Sequence, residues 1–460
     1  MNTTTAAQGY EIKKRRVMQQ MHELHNQPKK DIGLNKNTSN LFRSRGRSQK
    51  RLNVRDFNSV IHIDKKHLLA EVEGMTTFDD FVIATLPHGL LPLVVPQLKT
   101  ITVGGAVSGL GIESSSWKYG LVHEGVKSME VLLPDGQVVN AAPDNKYKDL
   151  FYGLPNSYGT LGYILKLTIK LRPAKPYVRL THLSFDKPAA CFAELDKICR
   201  SGLYKGQPVD FVDGVAFWAG ELYLTLGFDS ASAPYTSDYT YMNVYYRSIG
   251  KRSEDYLTTH DYIWRWDTDW FWCSKNVYAD RRLVRRLLGR KRLGSATYSR
   301  LMRFNNRYPV VSWLTSLLGQ AGKREAVIQD VEVTADKAEA FLRQFQKQID
   351  IRPVWFCPTK SFTKDWPYAL YPMDPSKLYV NFGFWDSVAT THGADSGYYN
   401  KKVEALVERL GGMKSLYSSV FYDKETFERK YNYPAYNKLK AAYDPGGQFK
   451  GLYEKCIGRG

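Results

Sequence analysis

A chain of 460 residues is long enough for two or three domains, and its 43% of apolar residues excludes a disordered protein. Its net charge of +19 leaves three classes of partner open: nucleic acid, an anionic membrane surface or anionic substrates. No apolar run predicts a spanning helix, and no signal peptide is evident. The 5 cysteines lack metal-ligand spacing, which predicts reduced thiols, no metal site and a cytoplasmic protein.

The predicted elements begin with a charged helix over residues 11–27, followed by a polar loop. Short alternating runs between residues 58 and 73 predict strands, and residues 76–89 predict a helix that ends at a proline and a glycine. Residues 128–141 form two β-type runs around a Pro-Asp-Gly turn, which predicts a hairpin. A long β-type run then ends at Pro173.

The character of the chain changes after about residue 177. Strand-like runs at 210–229 precede two segments with helical spacing of apolar residues, 335–350 and 400–412. Between the strand-like runs and these helical segments lies a basic aromatic insert, residues 256–303. Its first part is dense in Trp and Tyr, and its second part, 281–303, has nine Lys and Arg residues and no acid. This pattern is typical of a segment on an anionic bilayer, and a solvated cationic helix is the alternative.

The glycine segment, Thr102 to Gly120, carries the strongest chemical signal. Glycines without side chains let backbone N–H groups approach an anion, and three neighbouring serines add hydroxyl donors. The spacing matches neither the dinucleotide-binding fingerprint nor a Walker A loop. The residues alone therefore leave two readings open: a cradle for a pyrophosphate, and a glycine-rich turn that packs tightly between strands.

Three ordered motifs point to a family. They are Thr102 with Gly104 and Gly105, then the second glycine motif from Gly159 to Ile164, and the C-terminal run Lys440 to Pro445. These resemble the FAD-binding domain of the vanillyl-alcohol-oxidase superfamily, and the resemblance places the first FAD-binding loop near residues 37–40. The resemblance implies an α+β fold, with a two-subdomain FAD-binding domain (PCMH-type) and an α+β substrate domain.

The resemblance also implies non-covalent FAD, because the first loop lacks the histidine that tethers FAD in many members. That loop is expected to bind the pyrophosphate, the glycine segment to meet phosphate and ribityl atoms, and the second glycine motif to meet the adenine or the flavin. Ser114, Ser115 and Ser116 have an alternative role in capping the next element. The expected cofactor-binding residues are Asn37, Thr38, Ser39, Asn40, Thr102, Gly104, Gly105, Ala106, Val107, Ser108, Gly109, Gly111, Ile112, Ser114, Ser115, Ser116, Tyr119, Gly120, Gly159, Thr160, Gly162 and Ile164.

Within this family the chain resembles the delta-24-sterol reductase branch, through GIESSSWKYGL at 111–121 and the run DLFYGLPNSYGTLG at 149–162. The segment before them is more similar to bacterial reductases that saturate a methylene-branched fatty acyl chain after a methyltransferase has acted. The branch implies that NADPH reduces the flavin and that the flavin reduces an isolated C=C.

Such an alkene has no carbonyl to polarise it, so a plausible route protonates one carbon and quenches the tertiary cation with hydride. This route needs a poised acid and a dry, aromatic pocket. The candidate acids are Glu113, His123, Tyr417 and Tyr422, and each has a buried structural role as its alternative.

These observations predict an NADPH- and FAD-dependent enzyme of lipid metabolism, peripheral to the inner face of the membrane. The expected partners are a lipid substrate, an anionic membrane surface that binds residues 281–303, and a lipid methyltransferase acting upstream, with no nucleic acid. A lipid desaturase or oxidase that uses the flavin in the opposite direction is one alternative, and a non-catalytic lipid-binding protein is another. The predicted domains are 1–178 for FAD, 179–414 for substrate, and 415–460 returning to the FAD domain.

Overall fold

The structure, a computed structural model, describes residues 3–27, 31–36, 42, 48, 50–218, 220–295, 297, 300, 324–349, 351–363, 368–393 and 396–457. The chain divides into two compact units. Unit 1 comprises Met1–Ala174, Thr359–Lys377 and Ser415–Gly460, and unit 2 comprises Lys175–Pro358 and Leu378–Lys414. Residues 359–377, which we predicted in the substrate domain, group with unit 1.

The strands are β1 (Ile32–Asn35), β2 (Lys50–Asn53), β3 (Val60–Asp64), β4 (Leu69–Glu73), β5 (Leu90–Pro92), β6 (Val126–Leu132), β7 (Val138–Ala141), β8 (Tyr163–Pro173), β9 (Tyr177–Phe185), β10 (Leu203–Tyr204), β11 (Gln207–Pro208), β12 (Phe211–Trp218), β13 (Glu221–Ser230), β14 (Glu254–Thr258), β15 (Arg324–Thr334), β16 (Val354–Thr359), β17 (Tyr379–Ala389) and β18 (Met413–Lys414).

The α-helices are α1 (Thr3–His25), α2 (Phe78–Thr85), α3 (Val103–Gly109), α4 (Ser116–Tyr119), α5 (Lys148–Gly153), α6 (Pro188–Ser201), α7 (Tyr246–Ile249), α8 (Thr259–Ile263), α9 (Arg282–Leu288), α10 (Ala338–Gln348), α11 (Tyr398–Arg409), α12 (Lys424–Lys430), α13 (Tyr433–Tyr443) and α14 (Leu452–Ile457). Short 3₁₀ helices span Leu86–His88, Val122–Gly125, Asp267–Asp269, Cys273–Val277, Arg290–Arg292 and Ala335–Lys337.

Unit 1 is built on an antiparallel sheet with strand order β3-β4-β8-β6-β7, and β5 also pairs with β8. The long central strand β8 and the β6–β7 hairpin confirm the sequence prediction. Helix α1 covers this unit through Tyr10, Val17 and Met21, whose spacing places them on one face of the helix. It begins at Thr3, earlier than the predicted start at residue 11, and Lys13 anchors it to Glu73 at 2.7 Å.

Unit 2 is built on a sheet with strand order β14-β9-β13-β12-β16-β17-β15-β18. Its helices α6, α10 and α11 cover the sheet with apolar side chains. Phe192 of α6 contacts Phe356 of β16, and Phe345 of α10 contacts Phe384 of β17, with ring centroids 5.2 and 4.4 Å apart. The predicted helices near 335–350 and 400–412 are confirmed as α10 and α11, and the α+β fold class is confirmed for the chain.

The first part of the basic aromatic insert belongs to the core of unit 2. Strand β14 pairs with β9 at the sheet edge. Trp266, Trp270 and Trp272 follow it and are only 1 to 3% exposed. Our expectation that this aromatic stretch faces a bilayer is therefore wrong for these three tryptophans. None of the helices in the described ranges is both long and apolar enough to cross a membrane.

Candidate functional site

The amino-terminal amides of α3 are held within unit 1. The N–H of Gly104 donates to the carbonyl oxygen of Gly74 at 2.9 Å. Thr102 caps the helix, because its hydroxyl accepts the N–H of Gly105 at 3.2 Å. These two amides already have protein acceptors, which corrects our expectation that they are free to bind a phosphate. Contact between these glycines and FAD through other atoms stays a prediction.

Three glycines of this segment are closely packed against their neighbours. A methyl group on Gly104 would lie 2.8 Å from the carbonyl oxygen of Gly74, and one on Gly111 would lie 2.8 Å from the Val122 side chain. At Gly109 it would lie 3.2 Å from a tyrosine ring. The tight-packing reading, which the sequence left open, therefore accounts for these three positions.

One face of the glycine segment is open to solvent. Gly105, Ser108 and Ile112 are partly exposed, whereas the predicted cofactor residues Ala106 and Val107 are buried in the core. The hydroxyl of Ser108 donates to a backbone carbonyl one turn earlier, at 2.8 Å. The burial pattern thus narrows the part of α3 that can touch a ligand to the side that carries Gly105 and Ser108.

The three serines of the segment are buried and hydrogen-bonded. Ser114 donates its N–H and its hydroxyl to the Glu113 carboxylate, and Ser116 accepts the N–H of Glu113 at 3.1 Å. Ser115 donates to the carbonyl oxygen of Leu93 at 2.8 Å. Although Ser115 occupies the N-cap position of α4, its side chain makes no capping bond. The Ser115 side chain therefore does not cap α4.

Helix α4 ends the glycine segment. Tyr119 is half-buried and lies beneath the Lys118 ammonium, which is 5.6 Å from its ring centroid. Gly120 adopts a φ of 78°, a left-handed conformation that favours glycine. The structure therefore explains Gly120 by backbone conformation, and contact of Tyr119 with FAD stays a prediction.

The second glycine motif packs directly against the first. Asn156, Tyr158 and Gly159 adopt φ values of 63°, 53° and 73°, so the chain makes a left-handed turn before β8. Through this turn Tyr158 donates its N–H to the carbonyl oxygen of Ser108 at 2.8 Å and its hydroxyl to that of Gly109 at 2.7 Å. The structure therefore brings together two motifs that lie about fifty residues apart.

The second motif continues into the core. The Thr160 hydroxyl donates to the Ser157 carbonyl oxygen at 2.8 Å, which closes the turn. Gly162 precedes β8, and a methyl group there would lie 2.5 Å from the Val131 side chain. Ile164 is a buried residue of β8. Close packing therefore explains Gly162, as it explains the glycines of α3.

The C-terminal motif is tied to the same place through Lys440. Its ammonium donates to the carbonyl oxygen of Thr160 at 2.8 Å and to that of Phe449 at 2.9 Å, and it pairs with Asp444 at 2.6 Å. The Asp444 carboxylate also accepts the N–H of Gln448 at 2.8 Å. The hydrogen bonds of the C-terminal motif therefore hold the end of the chain against the second glycine motif.

The C-terminal segment also contacts the strand before the predicted pyrophosphate loop. The carbonyl oxygen of Gln448 accepts the N–H groups of Asp31 and Ile32 at 3.0 Å, and Tyr163 donates to the carbonyl oxygen of Ile32 at 2.8 Å. Strand β1 thus leads toward that loop from a fixed position. The predicted loop residues Asn37, Thr38, Ser39 and Asn40 lie outside the described residues.

Four buried polar atoms of unit 1 test whether a polar cofactor fits. Within the described part of the chain, the Asn156 side-chain oxygen, the Ser157 and Ser418 hydroxyls and the Trp117 indole N–H have no hydrogen-bond partner. All four side chains are at most 6% exposed. Buried polar atoms are normally satisfied, so such donors and acceptors suit a ligand with phosphate oxygens and hydroxyls. FAD has this chemistry.

Two of the candidate acids lie in or just after the glycine segment. Glu113 is buried, and its carboxylate accepts the two bonds from Ser114. His123 is buried in the 3₁₀ helix Val122–Gly125, with its ring 4.2 Å from that of Tyr368, and burial lowers its pKa from 6.5 to about 3. An imidazole with this pKa is neutral near pH 7, which argues against a cationic acid at His123.

The two tyrosine candidates lie on one extended segment but differ in burial. Residues from Leu416 to Tyr422 alternate between buried and partly exposed positions. Tyr417 is partly exposed, and its ring lies 5.9 Å from that of Phe42. Tyr422 is buried, with the Lys430 ammonium 5.7 Å from its ring centroid. Of the four candidate acids, only Tyr417 is partly exposed.

A carboxylate that was not among the predicted site residues organises the neighbouring loop. Glu124 accepts the N–H of Phe362 at 2.7 Å and the hydroxyls of Ser361 and Thr363 at 3.2 and 3.4 Å. Burial raises the pKa of Glu124. No local pattern identifies this role, because the partners lie more than two hundred residues away. Asn156 and Ser157 were also missed, although the Asn-Ser-Tyr-Gly run marks a turn.

The N-terminal part of the chain matches a known domain family. Residues 34–142, which include the whole glycine segment, match the FAD binding domain family. The chain therefore carries an FAD-binding domain, and the prediction of FAD as its cofactor is confirmed at this level.

Relatives extend the comparison to most of the chain. Delta(24)-sterol reductase from Arabidopsis thaliana is 27% identical over 87% of this chain and 75% of its own length. The Homo sapiens Delta(24)-sterol reductase is 26% identical over 86% of this chain and 75% of its own length. A decaprenylphosphoryl-beta-D-ribose oxidase from Mycolicibacterium smegmatis is 34% identical over 26% of each chain. The chain therefore carries an FAD-binding domain and is similar to Delta(24)-sterol reductases over most of its length.

Proposed function

We propose that this protein is an FAD-dependent reductase that uses NADPH to saturate an isolated C=C in a lipid chain. One observation carries the proposal: the similarity to Delta(24)-sterol reductases extends over 87% of the chain and therefore includes unit 2, beyond the FAD-binding domain. The proposed substrate is a methylene-branched fatty acyl lipid or a sterol-type side chain. A methylene-branched substrate also requires a lipid methyltransferase that acts first.

Residues of unit 1 would hold the cofactor. The partly exposed face of α3, with Gly105 and Ser108, offers a surface beside the turn at Asn156 and Ser157, whose free polar atoms suit a polar ligand. When bound, FAD supplies the hydride that an isolated alkene needs. Trp117 supplies a buried N–H donor within the same segment. The role of the protein is to fix the cofactor and exclude water.

Reduction of an alkene also needs a proton, and we propose that Tyr417 supplies it. Tyr417 is partly exposed and carries a phenol hydroxyl that can donate a proton. Glu113, His123 and Tyr422 are only 3 to 7% exposed. His123 is neutral near pH 7 because burial lowers its pKa to about 3. The carboxylate of Glu113 is engaged by Ser114. A phenol that protonates the terminal carbon of a methylene group would leave a tertiary cation for hydride to quench.

The proposed proton donor is tested by replacing Tyr417 with Phe. The variant should keep its FAD and still be reduced by NADPH, but its reduced flavin should be reoxidised by an unsaturated lipid at least tenfold more slowly than in wild type, since general acid catalysis contributes about 10²–10⁴-fold. Tyr422→Phe is the matched control, because Tyr422 is buried. Equal reoxidation rates for wild type and Tyr417→Phe would remove Tyr417 from the mechanism.

The proposed direction and substrate are tested in cells and in solution. Cells that lack the protein should accumulate unsaturated or methylene-branched lipid chains, and cells that contain it should accumulate the saturated product. An unchanged lipid profile would contradict the proposed substrate class. In solution, anaerobic mixing with NADPH should bleach the flavin absorbance.

A second candidate function rests on the likeness to the decaprenylphosphoryl-beta-D-ribose oxidase over 26% of the chain. That likeness favours an oxidase or desaturase, which uses the same flavin in the opposite direction. Such an enzyme would not be reduced by NADPH under anaerobic conditions, but a saturated lipid would bleach it and O₂ would restore its colour. The two half-reactions therefore separate the two functions.

A further inference from the structure

The second part of the basic aromatic insert exposes an apolar pair on a short helix. Leu283 and Leu287 of α9 are 71% and 75% exposed, the highest exposures among the large hydrophobic residues in the described part of the chain. They are four residues apart, so they lie on the same side of the helix. Tyr278, just before α9, is 52% exposed. Single exposed leucines are common on proteins, but a helix normally turns such a pair inward.

The opposite side of α9 is firmly packed in unit 2. Val284 and Leu288 contact an apolar cluster formed by Trp270, Cys273 and Ala279. Between them, Arg285 is fully buried. Its guanidinium donates to the carbonyl oxygens of Tyr241, Thr268 and Ala279 and to the hydroxyl of Thr268. These contacts fix the rotation of α9, so the outward direction of the two leucines is a property of the fold.

The leucine pair is surrounded by cations. The exposed basic side chains in this stretch are Arg281, Arg282, Arg286, Arg290, Lys291 and Arg292. Arg290 pairs with Asp238 at 2.9 Å. Within the described residues, the other five have no carboxylate partner. We call Tyr278, the two leucines and these six cations the α9 surface.

We infer that the α9 surface docks on an anionic lipid bilayer, with Leu283 and Leu287 inserted below the headgroups and the cations on lipid phosphates. An exposed apolar side beside a basic polar side is the composition of helices that lie in the membrane interface. Cations at a negatively charged leaflet add attraction that falls with salt. A nucleic acid would satisfy the cations but would leave the two leucines in water, so the leucines decide in favour of the bilayer.

The structure also corrects which arginines take part. We expected the whole run 281–303 to bind the membrane, but Arg285 binds backbone carbonyls inside unit 2 and is not available to a lipid. Residues 296, 298, 299 and 301–303 of that run lie outside the described residues. The inference therefore rests on residues 278–292 alone. It is independent of the proposed reaction, because it uses no property of the flavin.

The test measures cosedimentation of the FAD-loaded full chain with two kinds of vesicle, one of phosphatidylcholine alone and one that also contains phosphatidylglycerol. Wild type should bind the anionic vesicles at least tenfold more tightly than the neutral ones. Leu283→Ser with Leu287→Ser should weaken anionic binding about tenfold or more, and so should Arg282→Gln with Arg286→Gln. Retained FAD and an unchanged melting temperature show that each variant is folded.

Matched controls come from exposed residues of unit 1. Ile12 and Ile83 are 60% and 57% exposed, so Ile12→Ser with Ile83→Ser removes similar apolar surface away from α9. Lys65 and Lys66 are exposed, so replacing both by Gln removes the same charge as the arginine pair. Both control proteins should bind like wild type. If a control protein loses as much vesicle binding as its matched α9 variant, the assignment of binding to α9 is overturned.

Two further outcomes would also contradict the inference. If the arginine variant loses binding while the leucine variant binds like wild type, the surface adsorbs by charge alone and nothing is inserted. If double-stranded DNA removes wild type from anionic vesicles, and the leucine variant binds that DNA as tightly as wild type does, the surface is a polyanion site. Binding that requires both the leucines and the arginines supports docking on the bilayer.

Discussion

The glycine segment and the basic aromatic insert are equally prominent in the sequence, but they differ in which residues the structure buries and which it exposes. In the glycine segment most residues are buried, and the partly exposed face of α3 carries Gly105 and Ser108. In the insert Trp266, Trp270 and Trp272 form core, and the exposed side of α9 carries Leu283 and Leu287. Composition therefore identifies the segment, whereas burial decides which of its residues can meet a ligand.

The largest change in stability should come from replacing Arg285 in the insert, and its neighbour Arg286 provides the control. Arg285→Met removes a buried guanidinium and leaves three carbonyl acceptors without it, which should lower the free energy of unfolding of unit 2 by roughly 3 kcal/mol or more, since each buried acceptor left unpaired costs about 1–3 kcal/mol. Arg286→Met changes an exposed side chain and should stay within about 0.5 kcal/mol of wild type. Urea unfolding of both variants checks this difference. Equal stability of the two would show that Arg285 does not hold α9.

The glycine segment should show an intermediate effect. Gly104→Ala places a methyl group 2.8 Å from the Gly74 carbonyl oxygen, so it should destabilise unit 1 by about 1–3 kcal/mol and reduce the FAD retained after purification. Gly9→Ala is the matched control, because a methyl group there meets no atom within 4 Å in the middle of α1. It should stabilise the protein by about 0.5–1 kcal/mol. Thermal unfolding distinguishes the two, and a neutral Gly104→Ala would refute the packing argument.

At neutral pH the smallest effect is that of His123, and it grows as the pH is lowered. Its folded-state pKa, about 3, lies below the ordinary value of 6.5. Between these two pH values the unfolded chain therefore binds a proton at His123 and the folded chain does not. Stability should therefore fall as the pH is lowered from 6.5 toward 3, by about 1.4 kcal/mol per pH unit from this group. His123→Leu should remove that contribution, and replacement of the exposed His62 by Leu should not. Urea midpoints between pH 4 and 7 measure the slopes, and parallel curves for wild type and His123→Leu would contradict the burial argument.

Periodic patterns predicted the elements of both units well. Helices α10 and α11 and the β6–β7 hairpin follow from local spacing and turn residues, and the order of motifs along the chain predicted the cofactor. The missing information was long-range. Lys440 binds the carbonyl oxygen of Thr160, 280 residues earlier, and no local pattern signals that contact. Burial of Arg285 among exposed arginines was hidden for the same reason, since its partners are backbone carbonyls.

The central claim is that the protein passes hydride from NADPH through FAD to an isolated alkene. One anaerobic sequence of additions to the purified protein tests it: NADPH first, then a lipid with a methylene-branched chain, while the flavin absorbance is followed. The account predicts that NADPH bleaches the flavin and that the lipid restores its colour, with one saturated chain formed per flavin. A flavin that NADPH does not bleach, or that only O₂ reoxidises, would contradict it.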